Sequence, residues 1–120
     1  MSTLARIEDE WHQEVPVARL EGEIDASNVG EVRERLRSLL TNRSIGLVVD
    51  LSRTAYLDSA GINLLFALGS EMGGRQQRLA IVVADPSPIA RMIALTGLDQ
   101  AMPVHPTLAD ALGDVREPEE

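Results

Sequence analysis

The chain has 120 residues, 44% of them hydrophobic and 2% aromatic, so it holds one domain with a core of Leu, Ile, Val, Ala and Met. A net charge of −8 argues against nucleic acid or an anionic membrane as partner, since both reward clustered cations. With no cysteine and no lysine, disulfide scaffolds, thiolate metal sites, Cys nucleophiles and P-loops are excluded.

Residues 4–11 alternate weakly and predict an edge strand. Residues 15–20 predict a second strand, with Pro16 near its start or on an open edge because proline cannot donate to a ladder. Gly22-Glu23-Ile24-Asp25 reads as a turn. The first helix follows, capped by Ser27 or Asp25. Its apolar stripe is Val29, Val32, Leu36, Leu39 and Leu40. Arg33, Arg35 and Arg37 point away from the stripe and read as a solvated face, with Glu31 and Arg35 at pairing distance along the helix.

Residues 45–51 form a short apolar run without alternation, the pattern of a central strand buried on both faces. Residues 52–58 read as a loop, and 60–72 as a helix closed by Gly73 and Gly74. Residues 79–84 predict another buried strand, 89–96 a helix stopped at Gly97, and 102–104 a short last strand. Thr107 caps a final helix through Leu112, and the domain over 1–115 gives way to a frayed acidic tail at 116–120. Alternating strands and helices predict an α/β fold with a parallel core, made mixed by an initial hairpin. No apolar run is long enough to span a bilayer and the start does not resemble a signal peptide, so a cytoplasmic protein is expected.

Little enzymatic chemistry fits. No closely spaced glycines follow a strand, as dinucleotide binding requires. Asp50 ends a buried strand as a receiver aspartate does, but the lysine of receivers is missing, and loop amides are its expected partners. Leu57-Asp58-Ser59-Ala60-Gly61 is not a hydrolase elbow. His12 and His105 have no metal-ligand spacing and read as exposed surface residues. Trp11 reads as a packing residue or edge cover. No cofactor, metal or turnover is expected.

One site stands out. Asp58-Ser59-Ala60-Gly61 joins a strand end to a helix start, where α/β sheets place binding sites. Ser59 falls at or beside the N-cap, so a phosphate there would meet the positive end of the helix dipole. The helix that follows is apolar on more than one side. Ile62, Leu64, Leu65, Phe66 and Leu68 cannot all face one sheet, so an exposed docking patch beside Ser59 is expected; tight packing allowed by Ala67 and Gly69 is the alternative.

Residues 20–25, the Arg/Glu-rich helix, and the stretch from Leu47 through Asp50 to Asp58-Ser59-Ala60-Gly61-Ile62 together resemble STAS domains, in particular the stand-alone bacterial anti-sigma factor antagonists. The resemblance implies a mixed sheet with helices mainly on one side. It also implies binding to an anti-sigma factor that is a GHKL-type serine kinase, release of a sigma factor, and reversal by a serine phosphatase. Ser59 becomes the phosphorylated residue. The resemblance also places Asp25 in the partner-binding region; Asp58, Ala60, Gly61, Ile62 and Phe66 are expected beside it from the strand-end loop and the apolar helix, and a monomer or weak dimer is expected. Ala60 stands where many members have a second hydroxyl. The alternatives are a STAS module of a stressosome-like or lipid-transport assembly, or a nucleotide or small-ligand binder.

Overall fold

The computed structural model describes residues 5–116. β1 (Ala5–His12) and β2 (Val15–Ile24) form an antiparallel hairpin whose turn places Gln13 in the left-handed region, with φ 61°. Leu4 of the expected first strand lies outside the described residues. Pro16 sits near the start of β2, before the parallel pairing with β3 (Gly46–Asp50) begins at Val17. The chain continues through β4 (Thr54–Leu57), β5 (Arg78–Val82) and β6 (Val104–His105). The sheet order is β1-β2-β3-β5-β6, with β4 beside the end of β2. All pairings after the hairpin are parallel, so the mixed sheet is as expected.

The helices are α1 (Val29–Ser38), α2 (Ser59–Gly73), α3 (Pro88–Thr96), α4 (Leu98–Ala101) and α5 (Leu108–Arg116). The first four cover one sheet face, and α5 alone covers part of the other. This explains the unbroken apolar run of β3. Leu47 and Val49 enter the larger core, Val48 enters the core under α5, and all five residues of β3 are buried. Gly97 ends α3 with a left-handed φ of 81°, the geometry its glycine allows.

Several expectations change. Residues 52–58 are not all loop, because β4 pairs with β2 through Gly22, Glu23 and Ile24. That pairing also keeps Gly22 to Ile24 in β2 rather than in a turn, with a register shift between Gly22 and Glu23. The Thr54 hydroxyl anchors β4 by donating to the Leu20 carbonyl at 2.6 Å. Asn28, not Ser27 or Asp25, is the N-cap residue of α1. Arg35 reaches Asp9 on β1 at 3.3 Å instead of pairing along its own helix, and Arg37 reaches Glu71 on α2 at 3.0 Å. α4 was not predicted; the last strand is displaced to Val104–His105, and α5 runs past Leu112 to Arg116. Arg116 is therefore helical rather than frayed, and 117–120 lie outside the described residues.

Both histidines are half-buried rather than exposed. His12 meets Glu10 at 2.6 Å, and His105 meets Asp114 at 2.7 Å. Hydrogen bonds from Arg19, then His12, hold the Glu10 carboxyl down to about 2. Trp11 is exposed. Asp50 accepts from the Ser52 amide at 2.9 Å, as a polar strand end should.

Candidate functional site

The site is built at the carboxyl ends of β2 and β4. Ile24 lies opposite Leu57 in a parallel pair, so Asp25 and Asp58 leave the sheet side by side. The Asp58 amide donates to the Ile24 carbonyl at 3.2 Å and completes this junction.

Asp58 then serves two elements at once. As N-cap of α2, its Oδ1 accepts from the amides of Ala60 at 2.9 Å and Gly61 at 3.1 Å. Its Oδ2 accepts from the Ala26 amide at 3.3 Å, which ties the β2–α1 loop to the start of α2. Ser59 is the first helical residue and is exposed, and none of these cap bonds engages its hydroxyl. Asp58→Ala removes all three bonds, so a loss of about 2 kcal/mol is expected in denaturant unfolding, partly recovered by Asp58→Asn. Unchanged stability would contradict this double role.

The β2–α1 loop is ordered from within. Asn28 is buried; its Nδ2 donates to the Glu23 carbonyl at 2.8 Å, and its Oδ1 accepts from the Asp25 amide at 3.0 Å. Asp25 Oδ1 accepts from both the hydroxyl and the amide of Ser27. The Ser27 hydroxyl, then its amide, holds the Asp25 carboxyl below the usual carboxylate range. A fixed negative charge therefore stands beside the Asp58–Ser59 junction. Asn28 was missed by sequence reading: it holds the N-cap position without a side-chain cap bond, because its side chain is spent on the loop.

The remaining residues divide by burial. Ala60 is half-buried, while Gly61 and Ile62 are buried. A Cβ on Gly61 would lie 2.4 Å from Leu57 Cδ1 and 3.3 Å from Ile24 Cγ2, so glycine lets α2 start tight against the strand ends. Ile62 is 4% exposed and belongs to the core, as do Leu64, Leu65 and Leu68. Phe66 is half-buried and packs against the same core. The expected apolar docking patch is therefore absent. α2 packs on β5 and β4 and is flanked by α1 and α4, so its apolar sides are all consumed. Gly69 faces Met102, whose flexible end lies 2.8 Å from where a Cβ would stand, whereas Ala67 is exposed and takes no part in this packing. The exposed aromatic near Ser59 is Tyr56, which sequence reading left within a loop.

A strand-end site with an exposed serine at the start of a helix, on a mixed sheet backed mainly on one face, defines a class of protein. Residues 6–111 match the STAS domain, and the chain belongs to that family. Anti-sigma-F factor antagonist RsfB of Mycobacterium tuberculosis is 35% identical over 105 residues, spanning 88% of this chain and 84% of that protein. An anti-sigma F factor antagonist of Paenibacillus polymyxa is 25% identical over 111 residues, spanning 92% and 94%. The crystal structure of an anti-sigma factor antagonist from Mycobacterium paratuberculosis matches with a TM-score of 0.84 and 33% identity, covering 94% of this chain and 95% of that one. Among the described residues, no helix is long and apolar enough to cross a membrane.

Proposed function

We propose that this STAS domain is an anti-sigma factor antagonist switched by phosphorylation of Ser59. It binds an anti-sigma factor that is also a GHKL-type serine kinase, and so frees a sigma factor. Phosphorylation ends that binding, and a serine phosphatase restores it. The protein acts in the cytoplasm, as a monomer or weak dimer, by binding rather than by turnover. Asp25, Asp58, Ser59 and Ala60 form the polar centre of the contact. The relatives bearing the name of antagonist support the partner class.

The observation that carries the switch is the division of labour at the start of α2. Asp58 supplies the cap, so the exposed Ser59 hydroxyl can be modified without dismantling the helix. A phosphate at the first helical position meets the positive end of the helix dipole, and the fold tolerates it.

The test uses ATP and the anti-sigma-F factor of Mycobacterium tuberculosis, the factor that RsfB is named for opposing. Fragment mass spectrometry should place one phosphate on Ser59, and Ser59→Ala should take none. Absence of label on the unaltered chain, or label on another hydroxyl, would overturn the proposal.

A further inference from the structure

We infer that Tyr56 is the aromatic anchor for the kinase that phosphorylates Ser59; this rests on the reading of Ser59 given above. Four large hydrophobic side chains are exposed among the described residues: Trp11, Ile45, Tyr56 and Leu95. Trp11 and Ile45 line a crevice with Arg43 at the amino-terminal ends of the strands, the pole opposite Ser59. Leu95 lies near the end of α3, a helix that packs against α4 and β4 and joins Ser59 through neither chain nor cap. Of the four, Tyr56 is the one on the strand that leads directly into Ser59.

Its exposure follows from the pleat of β4. Leu57 turns towards α2, with its Cδ1 against Gly61, so Tyr56 turns to the opposite face of the sheet, beside Glu23. On that face α5 covers Val15, Val17, Val48, Ala80 and Val82, and stops short of β4. Tyr56 is 49% exposed, so about half of its surface is left open to a partner.

The occupant follows from reach. An extended chain advances at most about 3.6 Å per residue, so the Tyr56 and Ser59 Cα atoms lie within about 11 Å of each other. A standard interface buries about 800 Å² on each partner, a disc of about 16 Å radius. A kinase that holds its phosphoryl donor over Ser59 with such a footprint reaches the rim that carries Tyr56. A ring with an apolar body and a hydroxyl tip suits an apolar pocket with a polar edge, and tyrosine is enriched among the residues that dominate binding. The contact falls on Tyr56 and not on Ile62, which is buried.

The test compares the full chain with Tyr56→Ala and Tyr56→Phe, using the anti-sigma-F factor of Mycobacterium tuberculosis and ATP. Tyr56→Ala should weaken binding and raise KM for Ser59 phosphorylation by about thirtyfold, with kcat and melting temperature unchanged. Tyr56→Phe should retain most of the affinity. If the unaltered chain binds and is phosphorylated but Tyr56→Ala behaves identically, the inference alone is overturned. A fall in melting temperature matching the fall in affinity would make Tyr56 a structural residue and also overturn it. If the unaltered chain neither binds nor accepts phosphate, the Ser59 reading fails and takes this inference with it.

Discussion

Gly46→Ala is expected to cost about 3 kcal/mol of stability, at the upper end for overpacking. Gly46 opens β3 and pairs with Arg78 on β5. A Cβ at this position would lie 2.4 Å from the Arg78 carbonyl oxygen and 2.6 Å from Val115 Cγ1 on α5. The carbonyl belongs to the backbone and has no rotamer by which to withdraw. Relief requires the β3–β5 pair to separate or α5 to lift, and either change exposes the core of Val48, Ala80 and Val82. Thermal unfolding should show a loss on the order of 10 °C. Gly30→Ala is the control. Gly30 lies in α1 with open space where a Cβ would go, so alanine should stabilise by about 0.5–1 kcal/mol. Equal effects of the two changes would contradict the packing described for β3.

Patterns set by a single element were legible in the sequence. The runs in β3 and β5 announced strands buried on both faces, and the stripe of Val32 and Leu36 announced α1. The junction at Asp58 and Ser59 was legible because a cap residue and a helix start are local features. What depends on distant partners was not. β4 has four residues and no alternation, with Thr54 and Leu57 buried and Ala55 and Tyr56 exposed. It is a strand because β2 extends alongside it and the Leu20 carbonyl receives the Thr54 hydroxyl. The apolar excess of α2 pointed to a docking patch, and the structure spends it instead on α1 and α4. Composition counted the apolar sides of that helix but not its neighbours. The role of Asn28 escaped for a related reason: its bonds to Glu23 and Asp25 close a loop that had been read as a turn before a different cap.

Phosphorylation of Ser59 is expected to weaken binding to the anti-sigma factor at least about a hundredfold, which corresponds to about 2.7 kcal/mol. The modification adds about −1.5 to −2 charge at a point where two carboxylates already stand. Asp25 is held ionised by Ser27, and Asp58 is committed to the cap. Among the described residues neither pairs with an arginine. A partner seated on this pole must desolvate the dianion beside like charges, and both terms oppose docking. The domain itself should be nearly indifferent, since Ser59 is exposed and the dipole of α2 favours negative charge there. Ser59→Asp should reproduce only part of the loss, because one carboxylate has less charge and fewer acceptor oxygens than a phosphate. The most direct measurement is a calorimetric titration of the anti-sigma-F factor of Mycobacterium tuberculosis with the unmodified chain and with the chain phosphorylated at Ser59. The predicted result is binding by the first and at least about a hundredfold weaker binding by the second; equal affinities for the two forms would contradict the switch.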